Sequence, residues 1–319
     1  MRNKTYDLMT VQTPHPVVAL FRSSPQSIHA DYQCLFTHLE LAKQIDPDRP
    51  VVLVARVWRT FQLAATWTPP WLLEAAAAAI RALGVRELRL MLPGASVAAR
   101  RHDAGRYLPI CQAYTIHPVM PGPGTLVGTQ VILLSTLICH VAHGLAGASL
   151  LAAETISSAG ATTVTEATAE LAQARSLAHS WLAVLDATTV GDGPGPYLIY
   201  PQIRSMLLGS HDPLAVDTIA AQIAGVDLPL RRAMSAPDPS AIRLLGEPAL
   251  AAERWQLTAQ NVAIAAPYRL VDQLPTPVRQ IASELTASYR WMTLERHTFA
   301  NWLHTTDWGQ LMQSYLVRK

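Results

Sequence analysis

Asp186 closes an apolar run, the turn GDGPGP follows, and Asp212-Pro213 then opens an Ala/Ile-rich stretch that carries Asp217. Carboxylates and a glycine turn at the carboxyl ends of apolar runs are what an α/β sheet uses to gather a ligand. Asp186 reads as a ligand-binding or general-base carboxylate, or as a turn aspartate bonded to nearby backbone amides. Asp212 precedes a proline-led helix, so capping accounts for it and ligand binding is the further reading. Asp217 lies too far past that cap for a capping box, and Val216, Ile219, Ala220 and Ile223 make an apolar face beside it. A carboxylate on such a face requires a partner, from the chain or from a ligand.

Three further groups belong to the candidate set. His140 and His143 stand three apart after an apolar run, a spacing that presents two imidazoles to one metal on a helix and two backbone-bonded histidines in a loop. No third ligand adjoins them, so no metal is expected, and His140 is the stronger candidate for a pocket. Arg56 follows a β-branched run and supplies a positive charge there, as a ligand-binding group or as plain surface charge. Gly193 sits in a loop whose amides could cradle an anion, but two prolines in the hexapeptide remove donors, which favours a rigid turn. The catalytic candidates are therefore Asp186, Asp217 and His140, and the ligand-binding candidates Asp212, Gly193, Arg56 and His143.

The elements that must position these groups alternate in type along the chain. Strands are expected at 17–21, 51–57, 87–92, 126–134, 182–186 and 203–209. Helices are expected at 27–44, at 71–83 behind Pro69-Pro70 and ahead of Gly84, at 165–180, and from Pro213 to a stop at Gly225. Residues 95–125 read as irregular, PDPS at 237–240 as a surface turn before a short helix and a polar strand, and 277–315 as one or two helices. The C-terminal aromatics Trp291, Trp302, Trp308 and Tyr315 are expected to pack onto the main body. This alternation predicts an α/β fold with a mainly parallel central sheet flanked by helices, over residues 17–257, and a helical extension over 258–319.

The surface carries no strong field, since 25 Lys plus Arg stand against 23 Asp plus Glu, and no basic stripe suggests nucleic acid. Residues 131–153 contain no Asp, Glu, Lys or Arg and are long enough to span a bilayer. His140, His143 and several Ser, Thr and Gly residues within them, with no flanking Lys/Arg cluster, favour a buried strand and loop instead. Cys34, Cys111 and Cys139 form no paired motif, so a reducing, cytoplasmic setting is expected, and three thiolates cannot complete an all-cysteine iron–sulfur cluster. Residues 1–21 have no continuous apolar core, so no signal peptide is expected. A small-molecule ligand and a homo-oligomeric assembly are the partners compatible with this surface.

Taken together, Asp186, Gly193-Pro194 and the Asp212-Pro213…Asp217 helix opening resemble the bacterial and archaeal family called domain of unknown function 362. The resemblance runs from about residue 17 to 257, and Thr305-Thr306-Asp307-Trp308-Gly309 resembles the C-terminal extension of its longer members. It implies a pocket at the carboxyl ends of the strands. Family members carry Lys-Pro-Asn where this chain has Ala55-Arg56-Val57, and Pro-Lys-Leu-Lys-Thr-His where it keeps only His140 of Ser135 to His140. The family's later Lys-Asn pair is absent from Gly147-Ala148-Ser149, as is the ferredoxin-like cysteine insert of many relatives. Carboxylates without their opposed cations imply an altered or degenerate site; an active enzyme using Asp186, Asp217 and His140 is the alternative, and membrane association through 131–153 a third.

Overall fold

The computed structural model describes residues 15–57, 64–93, 107–157, 163–195, 198–258 and 291–317, with 274, 278, 281, 282, 285 and 289. Its centre is a nine-stranded mixed sheet, mostly parallel. The strands are β1 (Val17–Arg22), β2 (Val51–Ala55), β3 (Leu88–Met91), β4 (Ile116–Val119), β5 (Gln130–His140), β6 (Gly144–Ala146), β7 (Ser180–Asp192), β8 (Tyr200–Ser210) and β9 (Arg243–Gly246). Their order is β4-β3-β2-β5-β7-β8-β1-β9, with β6 folded back on the end of β5. Only β8 and β6 run against their neighbours.

The longer helices around the sheet and the short one after β6 are α1 (Ile28–His38), α2 (Pro70–Ala82), α3 (Ala148–Glu154), α4 (Val164–Leu177), α5 (Pro213–Ala224), α6 (Arg296–Thr305) and α7 (Asp307–Val317). From β2 the chain steps outward through α2 to β3 and β4, and from β5 it steps the other way through α3 and α4 to β7. Right-handed crossovers in opposite directions put α2 and α3–α4 on opposite faces of the sheet. Helix α1 packs beside α2, and α5 packs beside α3. The boundary between β2 and β5 is therefore a topological switch point, where a crevice opens at the carboxyl ends of the strands.

Local sequence explains most of these bounds. The β2 and β5 strands are buried throughout, as runs covered by helices on both faces must be. Thr163 and Glu166 form a capping box at the start of α4. Asp212 caps α5 by accepting from Leu214 N, Pro213 takes the first helical position, and Gly225 ends the helix at φ 73°.

Several expectations need correction. Asp186 does not end its strand: β7 continues to Asp192, because β5 and β8 extend with it and pair its far half. Residues 131–153 are a strand, a hairpin and the seven-residue α3, so GLAG is a short strand rather than a loop. Among the described residues no helix is long and apolar enough to cross a membrane. The 27–44 helix breaks at Glu40, whose φ of 51° lies outside the helical region, before a short turn over Leu41–Gln44. Within 95–125, residues 107–113 are helical and β4 adds an edge strand; 95–106 and Pro196 lie outside the described residues. The extension packs on the body, with Trp302 and Trp308 buried and the Trp308 ring 5.7 Å from that of Trp71. The side chain of Trp291 lies outside what is described.

Candidate functional site

Asp186 sits mid-strand, opposite Thr136 of β5 and Leu207 of β8, and turns to the α1/α2 layer. Its Oδ2 accepts from Tyr32 OH at 2.6 Å and Trp71 Nε1 at 2.9 Å. Its Oδ1 accepts from the backbone N–H of Thr188 at 2.8 Å and the Thr188 hydroxyl at 2.6 Å. Four donors on two oxygens fill the usual acceptor capacity of a carboxylate. Burial pushes the Asp186 carboxyl above its ordinary range, while Thr188, Tyr32 and Trp71 pull it back. The Tyr32 hydroxyl is held well above 10.0, first by burial and then by the Asp186 charge, so it keeps its proton and donates.

Thr188 leaves the β ladder to make those bonds. The pairing of β7 with β8 slips between Ala187 and Thr189, and Arg204 and Ser205 face the single residue Thr188. That is a bulge on β8. Ser205 takes up the extra length at φ 52°, a left-handed conformation uncommon for a residue with a side chain. Its carbonyl accepts from Ser23 N at 2.9 Å and its hydroxyl from Trp308 Nε1 at 3.0 Å.

The other candidates gather at the switch point. Arg56, the residue after β2, is fully buried and reaches across the crevice to Ala146 O at 2.5 Å, Gly147 O at 3.3 Å and Glu154 Oε2 at 3.2 Å. Asp217 is fully buried, and its two oxygens accept from Ala148 N at 2.8 Å, Ser149 N at 2.8 Å and the Ser149 hydroxyl. A side chain on α5 thus caps the first turn of α3. Gly147 is required at that junction, since a Cβ there would fall inside the Asp217 carboxylate. Burial raises the Asp217 carboxyl, opposed by Ser149, Ala148 and the Arg56 charge.

His140 and His143 are buried at the β5–β6 hairpin with ring centres 4.7 Å apart. His140 Nδ1 accepts from Ala142 N at 3.1 Å and His143 N at 3.3 Å, so the ring proton resides on Nε2. Burial, then His143 and Arg56, hold His140 well below 6.5 and neutral. Among the described residues no group of three or more His, Cys, Asp or Glu is arranged to hold a metal ion.

Arg56, His140, His143 and Asp217 thus share one neighbourhood, on the α3 side. Asp186 belongs to the α1/α2 layer, and Asp212 is a half-exposed cap that also pairs with Arg175. Gly193, at φ 101°, makes a rigid turn: its N–H binds Asp192 Oδ1 at 2.7 Å and its carbonyl accepts from Gly195 N at 2.9 Å.

A cleft of about 400 Å³ opens elsewhere on the same carboxyl edge. It is lined by residues 23–26 after β1, by Ile203 and Ser205 of β8, and by residues 305–308 from the end of α6 to the first turn of α7. None of the candidates read from sequence lines it. Sequence reasoning also missed Tyr32, Trp71, Glu154, Ser149 and Ser205; they lie far along the chain from their partners, and no local spacing marks them. No protein-family model, curated protein or solved structure matches the chain.

Two measurements check the Asp217 cap and the surroundings of a carboxylate on α4. Asp217→Asn turns one acceptor into a donor facing N–H groups, which should lower unfolding stability in urea by about 1–3 kcal/mol. An unchanged urea midpoint would contradict the cap. Glu170 of α4 has Oε2 buried without a hydrogen-bond partner, and burial, Glu166 and Glu154 push its carboxyl up to about 7. A folded value above the unfolded 4.5 means the native state holds the extra proton, so this group's contribution to stability falls as pH rises from 4.5 to about 7. Glu170→Gln should therefore be more stable than the parent at pH 8 and equal to it below pH 4.5, measured as thermal midpoints.

Proposed function

We propose that this chain is a small-molecule-binding α/β module rather than an active enzyme, on a scaffold diverged from the domain of unknown function 362 family. Its ligand site in this reading is the cleft beside β1. One observation carries it: Asp186 is filled by four donors from the chain itself and Asp217 takes three, while the cleft opens apart from them. A general acid or base must come within hydrogen-bond reach of a substrate proton, which a carboxylate saturated from within does poorly. The Arg56–Glu154 pair in the switch-point crevice supports the same reading, because it occupies the place where α/β sheets take ligands. A cytoplasmic setting fits the three free cysteines.

Native mass spectrometry of the undenatured protein tests this, with Gln26→Trp as a cleft-filling variant and Asp217→Asn as the comparison. Gln26 is exposed on the cleft wall, so the indole adds bulk there without opening the core. The expected result is a small co-purifying mass that Gln26→Trp removes and Asp217→Asn keeps. An adduct kept by Gln26→Trp and lost in Asp217→Asn or His140→Gln would return the site to the switch point. A parent protein with no adduct would remove the reading's support.

A further inference from the structure

We infer that the cleft beside β1 takes a protonated amine on a short aliphatic chain. This rests on reading that cleft as the ligand site. Ser23 Oγ donates to Asp31 Oδ2 at 2.7 Å. Ser27 Oγ donates to the same oxygen at 2.7 Å, so the 2.7 Å bond between Ser24 and Ser27 takes its proton from Ser24. Thr305 Oγ1 donates to Asn301 O and Thr306 Oγ1 to Trp302 O, each at 2.7 Å. The Trp308 indole N–H is committed to Ser205 Oγ.

Ser24 Oγ and Thr306 Oγ1 each have one lone pair taken, by Ser27 N at 3.3 Å and Gly309 N at 2.9 Å. The remaining lone pairs still outnumber the uncommitted side-chain donors, which are the Ser205 hydroxyl and the Gln26 carboxamide. Asp307 adds an exposed carboxylate on the rim, and no hydrogen bond or ion pair joins it to a described residue. None of the ten lining residues is Lys, Arg or His. An anionic ligand would have only the Gln26 carboxamide and the Ser205 hydroxyl to replace its hydration, against the other acceptors and the like charge of Asp307, which is unfavourable. An ammonium group brings three donors and the opposite charge, so it matches both the lone pairs and Asp307. Ile203, 41% exposed, and Pro25 give methylenes an apolar flank, and a volume near 400 Å³ suits a small ligand.

Isothermal titration calorimetry on the full chain at low salt tests the assignment with three probes of one length: 1,4-diaminobutane, 1,4-butanediol and succinate. The diamine should bind saturably and at least tenfold more tightly than the diol or the dicarboxylate. Asp307→Asn should weaken the diamine roughly fivefold, the scale of a partly exposed ion pair. Asp307→Glu should retain binding, which separates the charge from any effect on the fold. Gln26→Trp should abolish it. If the diol or succinate binds as tightly as the diamine and Gln26→Trp removes that binding, the cleft stands and the amine assignment falls. If the diamine binds with equal strength to Gln26→Trp, the cleft itself is the wrong site. Binding unchanged in Asp307→Asn, or no binding of any probe, overturns the amine assignment.

Discussion

The buried carboxylate of Asp186 is the constraint around which this structure closes. An aspartate withdrawn from water is costly unless it is fully hydrogen-bonded, and here its donors come from α1, α2 and its own strand. Satisfying it fixes Tyr32 and Trp71, and with them the approach of two helices to the sheet. It also draws the Thr188 amide out of the ladder, and the bulge that results sets Ser205 in its left-handed conformation. Trp71 then meets Trp308 of the C-terminal extension, whose indole N–H returns to Ser205. The ring of contacts is closed, and the cleft lies on its outer side.

The opposite face of the sheet solves a parallel problem. Arg56 follows β2 directly, so its guanidinium is delivered into the switch-point crevice, where two carbonyls and Glu154 neutralise it. Removing one partner of such a buried pair leaves an uncompensated charge, at a cost of about 3–5 kcal/mol. Asp217 holds the first turn of α3 against α5, and α3 in turn carries Glu154. The network therefore places the chain's own charged groups in a strand-end crevice that serves ligand binding in other α/β sheets.

Much of this fold was legible in local pattern. The β-branched run at 51–55, the proline-led α2 and the Asp212-Pro213…Gly225 helix all follow from short-range rules, and their residues behave accordingly. Asp217 was also legible as a carboxylate that needs a partner, and Asp186 as a ligand-binding or turn aspartate. Which partners was not, because Tyr32, Trp71 and Ser149 reach them only through the crossover geometry of the sheet. The far half of β7 was hidden for a related reason: Asp186 and the Gly/Asp/Pro residues from 191 on read as a turn, although Thr188, Thr189 and Val190 are strand formers, and β5 and β8 supply the pairing that carries the strand on. The cleft had no local signature, since its three walls come from segments near the start, the middle and the end of the chain.

Hydrogen–deuterium exchange on Asp186→Asn, read at residues 307–317, tests the closed ring most directly. Asparagine keeps the shape but offers donors where Trp71 and Thr188 already donate. Exchange in α7 and around Ser205 is expected to accelerate together, although neither touches the substituted residue. Protection of α7 and Ser205 equal to that of the parent protein, with any change confined to α1 and α2, would contradict it.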